Sequence, residues 1–136
     1  MVAVGDAIRA CGGQLPPPQP TPPPGDDALT VVELVFPDQT SHYGSLYGGN
    51  AIAAMAKSAF VVATRRSRKP VVLASSRRVD FVSQIHNGEV VELTSRLSSA
   101  GHRSMTIEVD MWAENLQTGA RRECGRGTFV MVALQR

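Results

Sequence analysis

The sequence predicts an α+β domain: a curved antiparallel sheet of five strands wrapped around one long central helix. Three observations predict it. Residues 49–66 carry an alanine-rich helical pattern. The segments after it are strand-like, and several alternate cleanly between apolar and polar residues. The links HNG (86–88), AGH (100–102) and NLQTGA (115–120) are short and turn-forming, which makes neighbouring strands antiparallel.

The elements follow in chain order. Residues 16–24, PPPQPTPPP, hold seven of the nine prolines. Such a run cannot join a helix or a central strand. Residues 1–27 therefore read as a Pro-rich, disordered leader, and residues 28–136 as the domain. A stiff solvated leader fits the composition better than a PxxP ligand. Residues 29–36, LTVVELVF, are apolar and β-branched and suit a strand. In the helix, Ile52, Met55, Ala59 and Val62/Ala63 recur at helical spacing and make one apolar face. Six alanines between 51 and 63 keep the helix thin enough to be wrapped closely. Asn50 is a candidate cap. The RRSRK run at 65–69 sets cations against the negative end of the helix dipole, and Pro70 stops the helix. That run reads as a solvated terminus rather than a phosphate patch. Four strands follow over 71–82, 89–99, 103–113 and 121–134. In the third, Met105, Ile107, Val109 and Met111 share one face, and Thr106, Glu108, Asp110 and Trp112 the other.

Composition excludes several classes. The 14 Lys+Arg nearly balance the 12 Asp+Glu, and aromatics are 5%, which argues against a nucleic-acid surface. Cys11 and Cys124 are far apart and form no CxxC pair, so neither a metal site nor a disulfide framework is expected. Residues 1–15 contain Asp6 and Arg9 and lack an apolar h-region, and no run of 18 apolar residues exists to span a membrane. The expected compartment is the reducing cytoplasm.

Four stretches go further: FPDQTSHYGSLYGGN (36–50), ASSRRVDFVSQIHNGEVVEL (74–93), AGHRSMTIEVDMWAE (100–114) and GTFVMVAL (127–134). In order and spacing they resemble the acyl-CoA thioesterases of the hot-dog fold, specifically the acyl-CoA hydrolase branch. The resemblance covers residues 28 to 136. It implies hydrolysis of acyl-CoA to free CoA and a carboxylic acid, with no cofactor beyond the CoA of the substrate. It also implies self-association as a dimer or a trimer of dimers, with sites shared between subunits.

The junction at 48–50 reads the same way from its residues. Gly48 and Gly49 let a substrate approach the backbone closely. At a helix N-terminus, free N–H groups favour the negative charge that grows on an attacked thioester carbonyl. The same pair could instead serve only tight helix–sheet packing. Hydrolysis also wants a base or a strong water acceptor. The resemblance places an aspartate seven residues after the second glycine, and Ala56 stands there. The chain is then an engineered inactive variant, a natural member using other polar residues, or a non-catalytic acyl-CoA binder. Substitutes on the pocket are Ser45, on the loop before the glycines, and Asn50. Ser75 and Ser76 lie on the strand that, in the family, lines the pocket from the neighbouring subunit. His42 could act as a base, although a lone loop histidine is more often solvated. Asp38 matches a turn position and Asp80 a structural one. The family's phosphate-contacting turn G-R-S-S is Gly101, His102, Arg103 and Ser104 here, with the arginine moved by one place. Contact of His102, Arg103 or Ser104 with CoA stands against an ordinary surface arginine. The Asp38–His42 spacing resembles an enoyl-CoA hydratase pair only superficially, being one residue short.

Overall fold

A computed structural model describes residues 27–46 and 48–134. The proposed leader lies outside the described residues apart from Asp27. Strand β1 (Ala28–Leu34) is followed by a 3-10 turn (Pro37–Gln39) and helix α1 (Gly48–Ser67). Strands β2 (Val71–Phe81), β3 (Val90–Ala100), β4 (Ser104–Glu114) and β5 (Arg121–Ala133) complete the domain. All five strands form one antiparallel sheet in the order β1-β3-β4-β5-β2.

The core lies between α1 and the concave face of the sheet. Met55, Ala59, Val62 and Ala63 are fully buried on the helix, against Leu93, Ile107, Val109, Met111, Phe129 and Met131 on the strands. Every second residue of β4 from Met105 to Ala113 is buried, as its alternation predicts. The thin helix is matched by small strand residues. A Cβ on Gly127 would stand 2.7 Å from Phe129 Cε2 and 3.0 Å from Met55 Cε, so the glycine lets the sheet close on the helix. One polar contact sits inside this interface: the hydroxyls of Ser58 on α1 and Ser95 on β3 hydrogen-bond to each other in full burial.

Three expectations are corrected. The links at 100–102 and 115–120 do join adjacent strands, but the stretch containing HNG (86–88) does not make a β2–β3 hairpin. β2 pairs only with β5, at one edge, and β3 lies between β1 and β4. The HNG turn merely redirects the chain, with Glu89 N donating to His86 O at 3.1 Å. Residues 82–89 cross the domain, with Ile85 buried at 4% exposure. Second, Ile52 is 37% exposed. Ala51 takes its place on the core face, one turn before Met55. Third, Asn50 is not the cap. It is the third residue of α1, and its Nδ2 donates to Gln39 O at 3.0 Å, tying the first helical turn to the 3-10 turn.

Candidate active site

The predicted site residues fall into three places. The first is the N-terminal end of α1. Gly48 and Gly49 open the helix and both are exposed. No heavy atom beyond its chain neighbours and its own helix backbone lies within 4 Å of where a Cβ on Gly48 would stand, and its φ is not in the left-handed region. Neither packing within the chain nor backbone conformation therefore requires glycine at 48. What remains is open space beside a helix N-terminus whose first turn carries no acidic side chain. That is where free N–H groups and the helix dipole favour a developing oxyanion.

The turn leading into the helix is self-bonded. Ser41 N donates to Ser45 O at 2.7 Å, Gly44 N to Ser41 O at 2.9 Å, and Tyr43 N to Ser41 Oγ at 3.2 Å. Gly44, at φ 79°, supplies the left-handed residue the turn needs. Ser45 is buried, with its Oγ 3.5 Å from Ser41 Oγ, so its hydroxyl faces the turn. His42 is exposed and stacks on Tyr43 with ring centroids 4.0 Å apart. Asp38 is exposed in the 3-10 turn. Ala56 is half-buried against the core and brings no polar atom to this end.

The second place is the opposite end of α1. His102 and Arg103 line a cavity of about 270 Å³, together with Arg66, Ser67 and Lys69 from the helix terminus. Ser104 starts β4, where its carbonyl accepts Gly101 N at 2.7 Å; it is not in the lining. The β3–β4 turn is anchored by Ala133 N donating to Arg103 O at 2.9 Å. Arg66 also meets Asp27 across 3.4 Å in an exposed pair, which contributes little in water. The basic run is thus one wall of a cavity, where the sequence suggested a solvated end. No local pattern joins residues 66–69 to 101–103, so only the fold brings them together.

The third place is the β2 edge. Ser75 and Ser76 are exposed there, opposite Val130 and Phe129, between two register shifts. Asp80 is exposed and accepts Arg78 Nε at 2.6 Å. Within one chain these places stay apart. The 20-residue helix separates Gly48 from the cationic cavity by roughly 30 Å at about 1.5 Å per residue.

Sequence reasoning missed a partly buried ion pair near the first place. Arg122 on β5 and Glu89, 33 residues apart, meet at 2.6 and 2.7 Å. Arg122 holds the Glu89 carboxyl below its ordinary range, against the opposing effect of burial. Among the described residues no group of His, Cys, Asp and Glu could hold a metal, and no helix is long and apolar enough to cross a membrane.

One central helix wrapped by an antiparallel sheet, with an open glycine pair at the helix entry, defines a hot-dog-fold protein. The chain belongs to the Thioesterase superfamily, whose model matches residues 43–120. It is 33% identical over 109 residues to an uncharacterized acyl-CoA thioester hydrolase of Bacillus subtilis, covering 80% of this chain and 63% of that protein. Among solved structures it is similar to an acyl-CoA hydrolase from Agrobacterium tumefaciens, at 49% identity and a TM-score of 0.78, covering 87% of this chain and 47% of that one. It is also similar to a hexameric acyl-CoA thioesterase in its apo form, at 31% identity and a TM-score of 0.78, covering 80% and 70%. The chain therefore spans less than two thirds of the Bacillus protein and about half of the Agrobacterium one.

Proposed function

We propose that this chain is an acyl-CoA thioester hydrolase, releasing free CoA and a carboxylic acid with water as the only co-reactant. The observation that carries the reading is the open space at Gly48, at a helix N-terminus free of acidic side chains. A thioester carbonyl seated there gains charge against the backbone N–H groups near Gly49 as water attacks. The cationic cavity with Arg66, Lys69, His102 and Arg103 suits the phosphates of CoA.

Two copies solve the separation of these places. Among the described residues the outer edge of β2 is unpaired, and Val72, Leu73 and Phe81 on the strand and Val82 just beyond it are exposed. Ile52 and Phe60 are exposed on the helix. Burying this edge and these side chains against a second copy removes an aggregation-prone surface. It also gives Ser75 and Ser76 a pocket to line. The hexameric relative supports further assembly into a trimer of dimers. The compartment proposed is the cytoplasm, consistent with a free and buried Cys124 thiol.

The base is the weak part of the site. Ala56 neither accepts a hydrogen bond nor takes a proton. Ser45 is buried in its own turn, and Asn50 is engaged with Gln39. Turnover of the native chain then rests on carbonyl polarisation and binding and is slow. Thiol release from octanoyl-CoA, measured on the native chain and on Ala56→Asp, tests this. We expect the variant to be faster by about 10²–10⁴-fold, the usual worth of a placed general base. Equal rates refute the assignment of position 56, and failure of both chains to hydrolyse refutes the hydrolase reading.

A further inference from the structure

Glu89 is 8% exposed, and a carboxylate that deep is tolerated only when fully partnered. Its partner is unusually complete. Arg122 Nη1 donates to Glu89 Oε2 at 2.6 Å and Nη2 to Oε1 at 2.7 Å, a bidentate fork. The same guanidinium donates through Nη2 to Gln84 O at 2.5 Å and through Nε to Ser83 Oγ at 3.0 Å. Glu89 Oε1 also accepts His86 N at 2.7 Å. One side chain of β5 thus holds residues 83, 84 and 89, and through Glu89 it holds residue 86.

The crossing segment in turn holds the helix entry. Leu46 N donates to Ile85 O at 2.6 Å and Asn87 N to Gly44 O at 3.1 Å, and Ser45 bridges to His86. Among the described residues, the backbone bonds and bridges of the 41–46 turn run to residues 85–87 and, through Leu46, to Thr40 just before it. Gly88 N and Val35 N close the same region, bonding to Val35 O and Glu89 O at 3.0 Å each. The turn that delivers the chain to Gly48 therefore rests on the crossing, and the crossing rests on β5.

We infer that Glu89 and Arg122 are positioning residues: their bidentate pair clamps the 82–89 crossing to β5 and so fixes the 41–46 turn that sets Gly48 and Gly49 at the helix entry. The link to catalysis rests on the thioester-hydrolase reading of that entry. They act through Ile85, His86 and Asn87. A side chain displaced by about 1 Å at such a site can cost about a hundredfold in rate, so a clamp two contacts away is worth retaining.

Amide hydrogen exchange on the full chain tests the clamp without needing turnover. In Glu89→Gln the amides of Leu46 and Asn87 should exchange at least about tenfold faster, while those of Ile107 and Val109 in β4 change less than about twofold. Arg122→Lys keeps the charge but loses the fork, and covers the case in which Glu89→Gln fails to fold; the same contrast is expected. Unchanged exchange at 46 and 87, or acceleration equal to that in β4, overturns the inference, because an ordinary structural ion pair would act on the whole domain. On the Ala56→Asp background, Glu89→Gln should lower kcat for octanoyl-CoA at least tenfold with KM within threefold. Intact kcat alongside faster local exchange overturns the catalytic part alone. If octanoyl-CoA is not hydrolysed at all, the hydrolase reading fails, and the exchange contrast still decides the clamp.

Discussion

The two ends of helix α1 present different chemistry on the same backbone. At the N-terminal end there are two glycines, no acidic side chain in the first turn and open space. Among the described residues, no acidic side chain of the first turn meets the positive pole of the helix, which suits a ligand. At the C-terminal end Arg65 and Arg66 answer the negative pole, and the chain leaves through Arg68 at φ 56°. The first end spends no side chains and suits a charge that appears during reaction. The second supplies fixed cations around a cavity and suits a charge that is already present.

The sharpest test of this contrast uses the two kinds of glycine. Gly48 has room for a side chain and Gly127 has none. Gly48→Val should abolish octanoyl-CoA hydrolysis, by at least about a hundredfold, as loss of an oxyanion site does. Its unfolding free energy from urea titration should change by no more than about 0.5 kcal/mol, the usual range for exposed substitutions. Gly127→Ala should do the reverse. It should lose about 1–3 kcal/mol through overpacking against Phe129 and Met55, with turnover per folded molecule retained. If Gly48→Val hydrolyses normally, the open space is not the carbonyl site.

A smaller effect is expected at the other end. The double variant Arg66→Glu, Lys69→Glu should weaken binding of free CoA by about tenfold at low salt, and by less as salt is added. Hydrolysis of octanoyl-pantetheine, which lacks the nucleotide phosphates, should be untouched. Equal losses on both substrates would mean that the cavity shapes the fold rather than reading phosphate.

These two ends were not equally legible in the sequence. The strands and their faces were, because alternation in β4 and the alanine spacing in α1 are local patterns set by burial. The glycine junction was legible because a motif and a helix start coincide. The cationic cavity was legible only in half: the resemblance offered His102 and Arg103 for CoA contact, but the 65–69 run read as a solvated helix terminus, and only the fold puts the two side by side. The β2–β3 crossing was misread for the same reason. The turn at His86–Glu89 is real, but a local turn does not say which strand comes next. Ile52 looked like core because helical spacing alone does not separate a face that meets the sheet from the face beside it.

The smallest expected effect concerns acid, and it falls on one end only. Arg122 holds the Glu89 carboxyl below its ordinary range: the hydrogen bond from Arg122 is the largest cause, and burial opposes it. A carboxylate whose pKa is lower folded than unfolded adds stability that is complete above the unfolded value. That stability is lost as pH falls through the folded value. The stability gap between the native chain and Glu89→Gln should therefore be constant from neutral pH down to the ordinary carboxylate range, and should close below it. Urea midpoints taken at descending pH measure this. Because the pair fastens the crossing beneath the 41–46 turn, the protection of the Leu46 and Asn87 amides, taken relative to the intrinsic exchange rate at each pH, should fall over the same acid range, ahead of that of the β4 amides. At the cationic end the β3–β4 turn and the start of β2 are held by backbone bonds, Ala133 N to Arg103 O and Leu134 N to Pro70 O, which do not titrate, and the Arg66–Asp27 pair there is exposed. Acid should therefore loosen the entry of the helix before its exit; simultaneous loosening would show that the two ends are not held independently.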